Sequence, residues 1–269
     1  MSKTILLTGA TDGIGLETAK MLVAAGHKVL LHGRNPNKLK DVESALAELN
    51  SEADTVSYIA DLSRMEDVVA LAAAVKQDQT SLDVLINNAG ILSTSDPITA
   101  EGLDVRFAVN TFAPYLLTQR LLPLMGADGR VVNLSSAAQA PVNLDALLGE
   151  TELSEDFDAY AQSKFAITMW SRAMALSLGD KAPAIIAVNP GSMLGSKMVK
   201  EGFGVAGGDI RIGAEILVRA ALDDEFATAS GNYFDNDSGK FSLPHGDALD
   251  PEKTGGVVQA IEQWLERVK

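Results

Sequence analysis

The chain has 269 residues, no cysteine and a formal net charge of −14, with 46% hydrophobic but only 5% aromatic residues. Lack of cysteine excludes disulfides, zinc–thiolate sites and thiol nucleophiles. The acidity argues against nucleic acid, whose phosphates need Lys and Arg, and against an anionic membrane surface.

An Ala/Leu/Val-rich composition at this length suits one large α/β domain. Ile5–Thr8 reads as a buried strand that runs straight into Gly9-Ala10-Thr11-Asp12-Gly13-Ile14-Gly15. Leu16, Ala19, Leu22 and Val23 then recur at helical spacing up to Gly26. Strand, glycine turn and helix present free backbone N–H groups at a helix N-terminus, where the helix dipole favours a dinucleotide pyrophosphate. The spacing is G-x-x-x-G-x-G, and a plain strand–helix turn is the alternative use of such a loop.

Further strands are expected at 27–32, 55–60, 83–86, 130–134, 184–188 and 231–234. Helices are expected at 36–50, 64–76, 101–125, 160–178 and 212–222, the third of them kinked or broken by Pro114 and Pro123. In a last helix Asp250 caps, Pro251 leads, and Val257, Ile261, Trp264, Leu265 and Val268 share one face. Residues 138–158 read as a loop rich in Ala, Asp and Glu, and 198–208 as a mobile glycine-rich one. Alternating strands and helices imply right-handed crossovers, hence a single doubly wound Rossmann-type domain over 1–269 with a mainly parallel, seven-stranded sheet. No apolar run reaches the roughly 20 residues of a bilayer span, and no signal peptide precedes the first strand, so a cytoplasmic location is expected.

Tyr160 and Lys164 stand four apart in a helical stretch and share a face. Alone, that pair is a weak motif. Ser136 ends the fifth strand, and Gly90 and Gly191 end two others on the same rim, where open α/β sheets bind ligands. His27, His32 and His245 lack ligand spacing, so no metal site is expected. Asn133-Leu134-Ser135 spells a glycosylation sequon inside a buried strand of a cytosolic chain.

Thr8–Gly15 (TGATDGIG), Asp61-Leu62, Asn87–Gly90 (NNAG), Asn110, Ser135-Ser136, Tyr160–Lys164 (YAQSK) and Pro190-Gly191 follow one another in this order. In order and approximate spacing they resemble the short-chain dehydrogenase/reductase family over nearly the whole chain. Phe107–Asn110, the long segment before Tyr160 and Tyr233–Asp235 are similar to its retinol-dehydrogenase-like and carbonyl-reductase-like members.

The resemblance implies an oxidoreductase that moves hydride between a nicotinamide and a ketone, aldehyde or secondary alcohol. Tyr160 is implied as general acid/base, its phenolate stabilised by the positive charge of Lys164 and of the oxidised nicotinamide, with Lys164 also holding the cofactor ribose. Ser136, rather than Ser135, is implied to bind the substrate oxygen, and Asn110 to sit at a helix distortion and anchor a water leading to Lys164. Local bonding inside the helix is the alternative for Asn110. The implied cofactor contacts are Gly9, Thr11, Asp12, Gly13, Ile14, Gly15, Arg34, Asn35, Asp61, Leu62, Asn88, Ala89, Gly90, Pro190, Gly191 and Met193, with Tyr160 and Lys164.

Where NAD enzymes carry an acid, this chain has Gly33 followed by Arg34, so NADP(H) is expected to be preferred, with NAD(H) possible. Asp12 counts the other way, because it can repel a 2′-phosphate. Asp61 suits either the adenine edge or a helix N-cap. Ser196 is a candidate for the Thr that bonds the nicotinamide amide in relatives, a contact left open. Phe203 among its glycines fits either a substrate lid or a disordered loop.

Leu92, Met193, Leu194 and Phe203 hint at a lipophilic substrate, although core packing explains them equally. Pairing as a homodimer or homotetramer is implied through the helices that carry Asn110 and Tyr160, with the segment Pro141–Phe157 a possible obstruction. A catalytically idle nucleotide-binding protein is the rival reading. An extended-type epimerase is disfavoured by the glycine spacing.

Overall fold

The computed structural model describes residues 1–268. Six parallel strands form first: β1 (Thr4–Leu7), β2 (Lys28–Gly33), β3 (Thr55–Ile59), β4 (Val84–Asn87), β5 (Arg130–Leu134) and β6 (Ala184–Asn189). They are completed by β7 (Tyr233–Asp235), parallel to β6, and β8 (Lys240–Ser242), antiparallel to β7. The order is β3-β2-β1-β4-β5-β6-β7-β8, so the chain reverses direction across the sheet between β1 and β4. That reversal opens a crevice at the carboxyl ends of the strands.

Alternation along the strands divides the core. Leu6, Leu30, Leu85, Val131 and Ile185 face one helical layer, and Ile5, Leu7, Val29, Leu31, Val84, Ile86 and Val132 the other. The second layer holds α1 (Gly13–Ala24), α2 (Pro36–Leu49) and α9 (Arg211–Leu222). The first holds α3 (Met65–Asp78), α4 (Val105–Phe107), α5 (Ala113–Leu121), α7 (Asp156–Leu178) and α10 (Pro251–Arg267), with the one-turn α6 (Leu144–Leu147) beside them. A single α8 (Lys197–Phe203) stands over the carboxyl rim.

The sheet has eight strands, not the seven expected. The extra strand is three residues long, too short for alternation to declare it. Its hairpin turn ends at Gly239, whose φ of +69° favours glycine. The expected helix over 101–125 begins only at Val105. Its break is a π-helical turn at Ala108–Phe112, while Pro114 sits harmlessly near the start of α5. Pro123 lies in a closing 3₁₀ turn, as its missing N–H requires.

Two stretches expected to be loops contain helices. In 138–158, Asn143 caps α6 by accepting from the backbone N–H of Asp145 and Ala146. α7 starts four residues before Tyr160, because Asp156 and Asp158 are first-turn acids that complement the helix dipole. Arg106, 1% exposed, ties that turn down: its guanidinium bonds Asp104 through Nε at 2.7 Å and also pairs with Asp156. In 198–208, Ser196 caps α8 and Gly204 (φ +68°) closes it, so the first half of the segment, 198–203, is helix.

The terminal helix decides the outer surface. Every residue of α7 from Ala161 to Ser171 is buried. A helix on a sheet normally keeps one face open. Here α10 fills it, with Trp264 edge-on to Phe112 at 5.0 Å and Glu262 accepting the Tyr115 hydroxyl at 2.7 Å. The surface on which pairing was expected is thus occupied from within the chain, and pairing through it would have to displace α10. Among the described residues no helix is long and apolar enough to cross a membrane.

Candidate active site and dinucleotide cleft

A cleft of about 550 Å³ runs along the carboxyl rim on both sides of the reversal point. Its first wall is the turn after β1, and two glycines there have no substitute. Gly9 has φ +68°, and a Cβ on Gly15 would fall 2.1 Å from the Gly9 carbonyl oxygen. Thr11, Asp12, Gly13 and Ile14 complete that wall. Asp12 caps α1, accepting from Gly13 N–H at 2.8 Å. Its other oxygen lies 3.7 Å from Lys38 Nζ, so the anion expected to repel a phosphate is paired.

Arg34 and Asn35 follow β2 into the cleft, with Asn35 capping α2 through the N–H groups of Asn37 and Lys38. Asp61 and Leu62 follow β3. Asp61 does not cap α3, whose N-cap position is Arg64; it closes its own turn by accepting from the Ser63 N–H and hydroxyl. After β4, Asn88 bonds the carbonyl oxygens of Thr8 and Gly9, locking the glycine turn, and Ala89 and Gly90 line the cleft beside it.

The far end gathers the reactive side chains. Tyr160 and Lys164 both line the cleft, with Lys164 Nζ 5.9 Å from the centre of the Tyr160 ring. Nζ donates to the Leu134 carbonyl at 2.8 Å. A methyl on Gly90 would stand 3.2 Å from that nitrogen and 3.3 Å from Asn110 Oδ1, so only glycine leaves the approach to Lys164 open. Burial holds the Lys164 pKa down to about 8. It also pushes the Tyr160 phenol up, with the Ser136 hydroxyl acting in the opposite direction. The expected phenolate is therefore not built into the protein alone. The phenol here keeps its proton.

The adjacent serines divide their work. Ser135 is buried and its hydroxyl donates to the Lys164 carbonyl and meets Thr168, a structural use. Ser136 is less buried; its oxygen accepts from Ala138 N–H and its hydroxyl meets the Tyr160 phenol, although it is Ser135 that lines the cleft. Asn110 sits in the π turn as expected. Its side chain bonds the N–H and carbonyl of Ile91 and the Ser163 hydroxyl, which ties β4's loop to α7. Asn110 and Ser136 stand just behind the cleft surface, and Pro190 forms part of it. Gly191 and Met193 do not; Met193 is half-exposed with φ +53°. Ser196 lines the cleft with its oxygen engaged as the cap of α8, and Leu194 is buried against Gly191 and Gly213, a packing role.

Three contributors escaped the sequence reading. His32, buried on β2, accepts from Gly9 N–H and bonds the Ala60 carbonyl, joining two rims of the cleft. Desolvation lowers its pKa to about 4, so it is neutral. Asp237, on the β7–β8 turn, accepts from Ser192 N–H and hydroxyl and from Asn189, fixing the turn after β6. Lys197 on α8 lines the cleft and pairs with Glu201 at 3.5 Å. Lys197, like Lys38 on α2, follows a cap closely, by one residue after Ser196 and three after Asn35 respectively, the only cue the sequence offers.

Residues 3–204 match the family model described as short chain dehydrogenase. Retinol dehydrogenase 12 of Mus musculus is 31% identical over 248 residues, which cover 86% of this chain and 77% of that protein. Retinol dehydrogenase 13 of Homo sapiens is 28% identical over 263 residues, 90% of this chain and 78% of that one. Among solved structures, landomycin C-6 ketoreductase LanV with bound NADP and rabelomycin superposes with a TM-score of 0.69 at 28% identity, covering 88% of this chain and 95% of the other.

Proposed function

The chain belongs to the short-chain dehydrogenase family, whose members are NAD(P)-dependent oxidoreductases, and from that premise we propose an NADP(H)-dependent reductase of lipophilic ketones and aldehydes, or dehydrogenase of the matching alcohols. The carrying observation is that Tyr160 and Lys164 line one end of a cleft whose other end is a glycine turn, with the Ser136 hydroxyl against the Tyr160 phenol.

The glycine turn suits a dinucleotide diphosphate, since Gly9 and Gly15 let the turn pack tightly on itself and on Ala89 and so bring the N-terminus of α1 to the cleft. Arg34, just after β2, and Lys38, in the first turn of α2, are both exposed and suit the 2′-phosphate of NADP(H). Lys164 would hold the ribose by the nicotinamide. When bound, the dinucleotide supplies the hydride in reduction and takes it in oxidation.

Tyr160 donates its hydroxyl proton to the carbonyl oxygen as the carbonyl carbon becomes an alcohol carbon. Burial keeps that proton in place until a substrate needs it. Ser136 donates a hydrogen bond to the same oxygen, meeting the charge that develops there. Lys164, an ammonium below pH about 8, stabilises the phenolate left behind. Asn110 holds α7 against the β4 loop through its side chain.

A panel of ketones and aldehydes with NADPH, followed by loss of nicotinamide absorbance, tests the activity. Tyr160→Phe should lose about 100- to 10,000-fold in turnover while NADPH binding, measured by fluorescence, stays within about twofold. Full activity in that variant would refute the assignment, and binding without any turnover in the wild type would favour an idle nucleotide-binding protein.

A further inference from the structure

Two phenylalanines beside Tyr160 take no part in either core. Phe157 precedes Tyr160 by one helical turn on α7; the ring centres are 6.5 Å apart and the planes tilted by 32°. Phe203, the last residue of α8, meets Phe157 edge to face at 6.0 Å and 81°. Their exposures are 51% and 44%, whereas Phe107, Phe112, Phe165, Phe226 and Phe234 are fully buried. Holding two phenyl rings open to water forgoes the free energy of burying them.

The placement of Phe203 is specific. Ser196 and Gly204 bound its helix, and Gly202 lies so close to Leu92 that a Cβ would come within 2.5 Å of Leu92 Cδ2. Tyr160, Leu92 and Gly202 all line the cleft, so the two rings adjoin its reactive end, Phe157 against Tyr160 and Phe203 next to Gly202. Planes near a right angle make a corner in which a third flat ring can lie face-on to one and edge-on to the other, both favourable aromatic arrangements. A saturated ring of the same size gains contact area there but no such pairing.

We propose that Phe157 and Phe203 form an aryl-binding corner, and that the substrate is a planar aryl or conjugated carbonyl compound whose carbonyl reaches Tyr160 while its ring occupies the corner. This rests on the assignment of Tyr160 as proton donor.

The test compares methyl phenyl ketone with methyl cyclohexyl ketone through the ratio of their kcat/KM values. It uses the wild type, Phe157→Leu, Phe203→Leu and a Phe203→Tyr control that keeps the ring. Each Leu variant should lower the phenyl-to-cyclohexyl ratio about three- to tenfold, the worth of one aromatic pair. The Tyr control should preserve it, and NADPH affinity should not move. A second measurement needs no turnover: calorimetric binding of 2-acetonaphthone to protein saturated with NADP⁺ should weaken by a similar factor in the Leu variants. Equal losses for both ketones, or unchanged acetonaphthone binding, would overturn the corner. If neither ketone is reduced although NADPH binds, the proposed function falls instead, and the calorimetry still decides the corner.

Discussion

Replacing Lys164 with Met should make the cofactor-free protein more stable while abolishing its chemistry. Lys164 is 4% exposed, and burial lowers its pKa from 10.5 to about 8. A shift of that size corresponds to about 3 kcal/mol against the charged form. The ammonium recovers part of this through its bond to the Leu134 carbonyl, worth about 1.5–3 kcal/mol for a charged donor. Met fills similar volume without charge, so the net gain at pH 7 is about 1 kcal/mol, or about 2–4 °C in Tm.

The pH dependence identifies the cause. The folded chain binds this proton less tightly than the unfolded chain, so the charged form opposes folding fully below pH about 8. That opposition fades as the pH climbs from about 8 toward 10.5, where both states become neutral. Urea unfolding of wild type and Lys164→Met, without cofactor, at several pH values across that range should show the advantage of Met shrinking as pH rises. Turnover should fall by at least about 100-fold in the variant. A loss of more than about 1 kcal/mol at pH 7, or an advantage independent of pH, would refute the reasoning.

Three other outcomes follow from the geometry. Arg34→Ala should raise the KM for NADPH about 10- to 30-fold, the worth of one charge-assisted bond to phosphate, and leave that for NADH within about twofold; equal effects on both would remove the 2′-phosphate assignment. Lys197→Ala should weaken NADPH about three- to tenfold in fluorescence titration yet leave 2′-AMP, which has no diphosphate, unchanged, because Ser196 beside it packs near Gly13 in the glycine turn; parallel losses would show another role. Sedimentation should find a monomer, and Trp264→Ala, removing a side chain 3% exposed, should cost about 3–5 kcal/mol in urea unfolding. A wild-type dimer would show that α10 does not close the pairing face.

The parallel sheet and glycine turn were legible because apolar strand runs and ordered glycines carry their own geometry, and the cleft brings together most residues expected of it. What the sequence hid was hidden for physical reasons. β8 is too short for a pattern. The acids before Tyr160 look like a solvated loop, although acids also belong in the first turn of a helix. Glycines around Phe203 suggest mobility, yet one of them closes α8 and another lets it approach Leu92. Lys38 beside Asp12 is a contact between the N-termini of α2 and α1, which no local spacing reveals. The covering of α7 by α10 depends on where an amphipathic helix docks, whereas the sequence gives only which of its faces is apolar.

That covering bears on how the protein can be used. The helix bearing Tyr160 and Lys164 is braced by the chain's own last helix, so the support of the reactive end can come from within one chain. Turnover per molecule should then survive dilution far below the concentrations at which paired subunits separate, and immobilised single chains should work as well as free ones.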